Sequence, residues 1–201
     1  VEVAHHAGKR VCAHIGGPEG AKLAMQAGVD CLEHCYTLDE EAIAMFGETG
    51  TYLVPTLGVN HAEEFFREQG WSEKRLQQMT EDGTLHRESF LRAVRAGARP
   101  AVGTDMLPTD KPDLPGFPVA TTREIELMVQ AGLSEMEALM AGTKNTADLC
   151  QVGDRLGTLQ VGKIADVIAV EGNPVADIKA LRKIKLVIKD GKIVRNTWEA
   201  G

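Results

Sequence analysis

This sequence of 201 residues has few aromatic side chains and no excess of positive charge. Phe, Trp and Tyr make up 4% of the chain, and 29 acidic residues against 22 Lys and Arg give a formal net charge of −7. A phosphate backbone or an anionic membrane surface binds a basic face, and single-stranded nucleic acid also stacks on aromatic rings. We therefore expect no nucleic acid and no membrane among its partners.

Long apolar runs and a dense cysteine framework are also absent. No stretch approaches the ~20 apolar residues that a membrane-spanning helix needs. Cysteines at C-x-x-C spacing do not occur, and the 4 thiols are those of Cys12, Cys31, Cys35 and Cys150. Such isolated cysteines are typical of reduced, mostly buried thiols, which favours a cytoplasmic protein.

Short apolar runs that end in metal-capable side chains are the main feature that is present. Three of them are Val11–Ile15, Val29–His34 and Ala101–Asp105. Helical sequence separates the runs, so they are typical of consecutive parallel strands in a (β/α)8 barrel. The carboxyl ends of such strands meet at the mouth of the barrel. We therefore expect His14, His34 and Asp105 to converge there and to bind metal.

The rest of the chain up to residue 156 continues this alternation. The other predicted strand is Thr51–Leu57, and the predicted helices are Glu19–Ala27, Leu38–Gly47, Leu85–Ala96, Thr121–Ala131 and Ser134–Leu149. Asp39 or Thr37 is a plausible N-cap for the second of these helices, and Ser134 with Glu137 predicts a capping box for the last. Met106–Pro118 holds four prolines and one glycine, which predicts an ordered loop.

From Gly157 onwards the pattern changes to strands alone. Lys163–Glu171 and Leu181–Arg195 are β-rich, and Asp190-Gly191 predicts a tight hairpin turn within the second run. We therefore assign residues 1–156 to half of an α/β barrel. We assign residues 157–201 to the C-terminal portion of a small β-sandwich domain.

Five motifs in this order resemble the C-terminal half of the amidohydrolase superfamily, in the branch that includes prolidase-like dipeptidases and imidazolonepropionase-type enzymes. The motifs are Cys12-Ala13-His14, Leu32-Glu33-His34, Gly103-Thr104-Asp105, the helix Ala141–Ala147 and the hinge Gly157–Asp166. The first three are similar to the fifth, sixth and eighth strands of that barrel, so the resemblance implies that this chain carries strands 5 to 8.

Two parts of the family pattern are not found, namely the His-x-His of the first strand and the lysine of the fourth. Val1–Lys9 is typical of the end of a helix, so we expect the chain to begin within a domain. We expect the missing ligands before Val1, in a native polypeptide about twice this length. The resemblance then implies that the active site requires the missing N-terminal half of the barrel.

The resemblance also implies a metal-dependent hydrolase that cleaves an amide-like C–N bond, in a dipeptide or an N-acyl amino acid, with a metal-bound hydroxide. The ion is expected to be a divalent metal, zinc above all, with one or two ions in the complete enzyme. His14 and His34 would bind the more exposed ion, and Asp105 would be both ligand and catalytic base. Tyr36 and His61 follow their strands on the mouth side and are candidates for substrate binding.

Alternatives stay open at this point. The proline-rich loop Met106–Pro118 leaves a cyclic amide, a lactone or a deaminase substrate possible, and a truncated, inactive structural module is a further class. A lone histidine is more often a satisfied core residue than a ligand. Strand alternation predicts that Cys12 and Leu32 face inward with His14 and His34, and that Cys35 faces the other way. The expected partners are a small-molecule substrate and further copies of the chain, as a homo-oligomer.

Overall fold

The computed structural model describes residues 1–105 and 120–198, and the side chains of all of these except residues 64 and 65. Its main sheet has four parallel strands in chain order: β1 (Cys12–Ile15), β2 (Cys31–His34), β3 (Tyr52–Val54) and β4 (Arg99–Pro100). Helices connect successive strands, as parallel pairing requires. The α/β architecture and parallel order confirm the expectation of part of a barrel. The predicted loop Met106–Pro118 lies outside the described residues.

Eight α-helices occur in the described part of the chain. They are α1 (Glu2–His6), α2 (Pro18–Gln26), α3 (Glu40–Thr49), α4 (Glu63–Glu68), α5 (Glu73–Arg95), α6 (Ala120–Gln130), α7 (Glu135–Met140) and α8 (Thr146–Leu149). Asp39 caps α3 by accepting from the Ala42 N–H, and Ser134 with Glu137 forms the predicted capping box on α7. In none of the described residues is there a helix both long enough and apolar enough to cross a membrane.

The longest helix, α5, begins twelve residues before the predicted start at Leu85. Ser72 caps it by accepting from the Arg75 N–H. The early turns looked polar, yet their buried side chains recur at helical spacing along one face: Leu76, Met79, Gly83, His86 and Phe90. Because so few apolar residues mark that face, the sequence did not predict that the helix starts at Glu73.

The predicted strand Ala101–Asp105 is wrong as a strand, because β4 covers only Arg99–Pro100. The Ala101 N–H still donates to the Leu53 carbonyl (3.0 Å), but the next N–H, of Val102, donates to the Thr146 hydroxyl (3.0 Å). The Asn145 amide also donates to the Pro100 carbonyl (2.9 Å). Helix side chains thus take the hydrogen bonds that a neighbouring strand would have made.

The predicted helix Ser134–Leu149 is not uniform. A π-helical turn, Ala141–Asn145, separates α7 from α8. Wide turns of this kind occur mostly as single insertions within α-helices. The turn ends at Asn145, directly before Thr146. The side chains of these two residues bond the Pro100 carbonyl and the Val102 N–H.

The two faces of the main sheet have different surroundings. Leu32 and Leu53 pack with Phe46 and Phe90 in the large core under the helices, whereas a small cluster on the opposite face holds Cys31, Tyr52, Val54 and Ala101. Leu32 therefore faces the helices, and the prediction that it faces inward with His34 is wrong. Cys35 is buried in the helix-side core, as predicted.

The C-terminal sheet is antiparallel, with strands β5 (Val167–Val170), β6 (Ile184–Lys189) and β7 (Lys192–Asn196) in that order. Asp190 and Gly191 form the predicted turn between β6 and β7, with φ of 51° and 74°. Positive φ at both central residues is typical of the type I′ turn that matches strand twist. The described residues give three strands of one sheet, so the sandwich and the domain boundary at residue 157 stay predictions.

An ion pair between a buried carboxylate and a half-exposed arginine attaches the C-terminal segment to α6. Glu126 is 1% exposed, and the Arg182 guanidinium donates to both of its carboxylate oxygens at 2.5 Å. Arg123 lies 3.3 Å from the same carboxylate. Ile178 and Leu181, on the 3-10 turn Ile178–Arg182, pack into the large core beside this pair.

We expect Arg182→Ala to lower the free energy of unfolding by about 2 kcal/mol or more, because it leaves a buried carboxylate with one weaker partner. Arg92→Ala is the matched control, since Arg92 pairs with Glu40 at the surface and such pairs contribute about 0–1 kcal/mol. Urea unfolding of both variants measures the difference. Equal losses in the two variants would contradict a structural role for the Glu126–Arg182 pair.

Candidate metal centre

The carboxyl ends of β1 and β2 bring two histidines together. The ring centroids of His14 and His34 lie 4.6 Å apart, edge to face. His14 is exposed and His34 is buried. Burial lowers the pKa of His34, the His14 charge lowers it further, and the charge of Asp105 opposes both. The charge of Asp105 therefore acts on His34, although the ligand atoms of His14, His34 and Asp105 do not all lie within 4.8 Å of one another.

An unusual backbone conformation redirects His34. Its φ is +66°, and Cys35, Thr56 and Asp105, which also follow strands, have φ of 57°, 54° and 49°. A side chain other than glycine held there costs about 1–3 kcal/mol, and such positions cluster at functional sites. Strict alternation would place His34 on the helix side with Leu32. The left-handed turn brings its ring to His14 instead.

A threonine after β3 fixes the tautomer of His34. The Thr56 hydroxyl donates to the Pro55 carbonyl (2.6 Å), so its oxygen is left to accept from His34 Nδ1, 2.6 Å away. The proton of the neutral imidazole then sits on Nδ1, and Nε2 carries a free lone pair. Metal-binding histidines are commonly oriented in this way by a hydrogen bond from the other ring nitrogen.

A second, fully buried histidine holds the backbone of His34. His86 Nε2–H donates to the His34 carbonyl (2.9 Å), and the Asn60 amide donates to His86 Nδ1 (3.1 Å). Burial lowers the pKa of His86 to about 4, so it is neutral at pH 7. The predicted helix Leu85–Ala96 would put His86 in its first turn, but His86 lies deep within α5.

Tyr36 lies against this pair of histidines. Its ring stacks on His34 at 5.2 Å and meets His86 edge-on at 4.9 Å. Burial raises the pKa of Tyr36, and Asp105 raises it further, so its hydroxyl remains a hydrogen-bond donor at neutral pH. Its role in substrate binding stays a prediction.

His61 lies at the end of the 3-10 turn Leu57–His61 that follows β3. Its Nε2 accepts from Arg87 Nη1 at 2.6 Å. Burial lowers the pKa of His61, and the charges of Arg87 and Arg123 add to that effect. The structure thus places His61 against the Arg87 guanidinium, and contact with substrate stays a prediction here too.

A buried carboxylate holds the start of the same 3-10 turn. Glu124 is 0% exposed, and the N–H groups of Leu57 and Gly58 donate to its two oxygens at 2.7 and 2.8 Å. Burial raises the pKa of Glu124 to about 7, against the lowering effect of the two N–H groups. Because Thr56 directly precedes this turn, Glu124 fixes the segment that orients His34.

Glu124 predicts a specific pH dependence of stability. Its pKa of about 7 lies above the ordinary value of about 4.3, so its favourable contribution is full below pH ~4.3 and is lost as pH rises through ~7. We expect the unfolding free energy of wild type relative to Glu124→Gln to fall by about 3 kcal/mol across that window. Urea unfolding at pH 4.5 and pH 8 measures it. A constant difference between the two proteins would contradict the raised pKa.

The side chains of His14, His34 and Asp105 offer nitrogen and oxygen donors, which suit a divalent ion such as Zn²⁺. Two imidazole nitrogens and a carboxylate match the ligands of catalytic zinc sites, which keep one position open. Within residues 1–105 and 120–198 no hydrogen bond engages Nε2 of His34, and His14 and Asp105 are exposed at the same end of the sheet, so these groups are available. Nothing in the sequence pointed to Thr56, Asn60, His86 or Glu124, which support the site without being ligands.

Comparison with known proteins adds an independent observation. The model of the amidohydrolase family matches residues 1–194. Ochratoxinase of Aspergillus niger is 32% identical over 211 residues, which cover 100% of this chain and 39% of that protein. Imidazolonepropionase of Symbiobacterium thermophilum is 26% identical over 189 residues, covering 88% of this chain and 38% of that protein.

A solved structure shows the same fold. The crystal structure of a Xaa-Pro dipeptidase with methionine bound in its active site superimposes with a TM-score of 0.80 at 34% identity, over 97% of this chain and 47% of that chain. The chain therefore spans roughly two fifths to a half of the length of these relatives.

Proposed function

The chain belongs to the amidohydrolase family, and from this premise we propose that it carries the metal-binding strand ends of a hydrolase that cleaves an amide-like C–N bond. We propose a dipeptide or an N-acyl amino acid as the substrate. The dipeptidase whose structure is similar supports this class, since it acts on an Xaa-Pro dipeptide bond.

One observation carries the proposal: His34 is held beside His14, and no described residue bonds its Nε2. Thr56 fixes the tautomer, and His86 fixes the carbonyl of the strained residue. A histidine that only filled the core would have no need of two polar partners and a left-handed backbone. Such orientation of an imidazole is typical of a metal ligand.

We propose that His14, His34 and Asp105 hold a divalent ion, with zinc as the first candidate. Such an ion, when bound, would lower the pKa of water to about 7 and polarise the scissile carbonyl. Asp105 would accept the proton of the attacking water and pass it to the leaving nitrogen. The hydroxyl of Tyr36 would donate to the substrate carbonyl or carboxylate.

The substrate carboxylate would meet the side of the mouth that carries His61. Arg87 donates to His61 at 2.6 Å, and the charges of Arg87 and Arg123 act on that ring, with the Glu63 charge opposing them. Guanidinium groups recognise carboxylates in two-pronged geometry. This placement favours a substrate with a free carboxylate, such as a dipeptide, over a neutral amide.

The four parallel strands are half of the eight that close such a barrel. We propose that the portion of the relatives that this chain does not span supplies the other strands and further metal ligands. The substrate of the whole enzyme and its assembly with further copies are proposals too.

Metal removal tests the proposed function. We expect the full-length protein to hydrolyse Xaa-Pro dipeptides or N-acyl amino acids, and dialysis against a chelator to lower kcat by ~100-fold or more. Added Zn²⁺ should restore the rate, whereas Mg²⁺, which prefers oxygen ligands, should not. A cyclic amide in the same panel tests the alternative substrate. Full turnover by protein shown to be free of metal would refute the proposal.

A further inference from the structure

A second group of metal-capable side chains lies on the same two strands, on the face away from the helices. The sulfur atoms of Cys12 and Cys31 and a carboxylate oxygen of Glu33 all lie within 4.8 Å of one another. Cys12 and Cys31 are direct neighbours in the register of β1 and β2. Glu33 shares their face, because it follows Cys31 by two residues along the strand.

We propose that Cys12, Cys31 and Glu33 bind a thiophilic divalent ion, Zn²⁺ or Cd²⁺, in addition to the ion at His14, His34 and Asp105. Two thiolates and a carboxylate form a donor set that selects such ions over Mg²⁺ or Ca²⁺. The fourth position would be taken by water or by a group from the rest of the barrel.

The spacing of the ligand atoms fits this assignment. In a tetrahedral site with Zn–S of about 2.3 Å and Zn–O of about 2.1 Å, sulfur and oxygen lie about 3.6 Å apart. The distance from Cys31 Sγ to Glu33 Oε1 is 3.4 Å. The Cys12 sulfur lies within 4.8 Å of both other ligand atoms.

The two sulfur ligands lie away from the histidine pair. Cys12 precedes His14 by two residues on the same strand, which sets the cysteine level about 6–7 Å from the level of His14 along the sheet. Glu33 pairs with His14 in the register of β1 and β2, and its carboxylate reaches the two sulfur atoms from that level. Cys31 packs in a small cluster of apolar and aromatic side chains, with Tyr52, Val54 and Ala101. These neighbours would shield a bound ion from water and strengthen its attraction to the thiolates and the carboxylate.

Sulfur ligation gives a signal that the histidine site cannot produce. Metal-free, reduced full-length protein is loaded anaerobically with Zn²⁺, and zinc X-ray absorption is recorded. We expect a sulfur shell at about 2.3 Å. A parallel titration with Co²⁺ should give a thiolate-to-cobalt charge-transfer band in the near ultraviolet. His14→Ala should lose nitrogen ligands and keep the sulfur shell.

The variants decide the assignment. Cys12→Ala, at an exposed position, and Cys31→Ala should each abolish the sulfur shell, whereas Cys150→Ala, also exposed but outside the cluster, should leave it intact. Circular dichroism checks that each variant is folded. A zinc shell without sulfur in wild type, or sulfur ligation that survives Cys12→Ala, would overturn the proposal. Loss of hydrolysis with the sulfur shell retained would count against the proposed function only.

Discussion

Replacement of Asp105 by Asn is expected to lower kcat/KM by ~10³-fold or more with the fold retained. The amide is nearly the same size as the carboxylate, but it cannot accept the proton of the attacking water and it binds divalent ions poorly. Asp105 follows β4, and its charge acts on His34 and Tyr36. Steady-state kinetics on a dipeptide substrate, with metal content measured on the same sample, gives the result.

The matched control for this change is Asp154→Asn, at an exposed carboxylate far along the chain from the strand ends. It should hydrolyse the substrate at the wild-type rate. If Asp105→Asn kept near-normal rates with full metal occupancy, Asp105 would not be the base. If its rate fell only in proportion to lost metal, Asp105 would be a ligand without a role in proton transfer.

Replacement of His34 by Ala is expected to remove stoichiometric metal from the proposed site, and activity with it. Removal of the Thr56 hydroxyl, which orients the His34 ring, should give an intermediate metal affinity. Thr56→Ala should weaken metal binding by about 10–100-fold, because it releases the ring nitrogen that orients the ligand. Thr56→Ser keeps the hydroxyl and should bind metal nearly as wild type does. Competition with a chromophoric chelator measures all three affinities.

His6→Ala is the control for a general effect of losing a histidine, because His6 is exposed on α1 and bonds only to the carbonyl of Glu2 among its described contacts. The order of affinities should be wild type and Thr56→Ser, then Thr56→Ala, then His34→Ala. Equal affinities in Thr56→Ala and wild type would contradict the tautomer argument. Retention of full affinity by His34→Ala would contradict the metal site itself.

The order and direction of the main strands were predictable because their signals are local. The apolar runs before His14 and His34 alternate with helical sequence, and only parallel pairing in chain order fits that alternation. The capping box at Ser134 and the hairpin turn at Asp190-Gly191 depend on three or four neighbouring residues. Such features follow from short-range chemistry alone.

The supporting residues were not predictable, because their contacts join distant parts of the chain. The Glu124 carboxylate meets the Leu57 N–H across 67 residues, and His86 meets the His34 carbonyl across 52. The sequence around His86 and Glu124 is ordinary amphipathic helix, so no local pattern marks them. Burial of a charged or polar side chain becomes visible only when the packing is known.

The orientation of β2 shows the same limit at a single residue. Period-2 alternation placed Leu32 and His34 on one face, which would be correct for a continuous strand. The strand instead ends in a left-handed turn at His34, so Leu32 packs under the helices while His34 meets His14. Strain of this kind at a site cannot be read from propensities.

The most direct test of the metal centre is an anomalous difference map from crystals of the active full-length protein, recorded at the absorption edge of zinc. We expect a peak about 2.0–2.1 Å from a ring nitrogen of both His14 and His34, with the Asp105 carboxylate turned toward it. For His34 that nitrogen should be Nε2, because Thr56 engages Nδ1. Crystals of active protein that show no peak between the two imidazoles, at the absorption edge of any first-row transition metal, would contradict the metal centre.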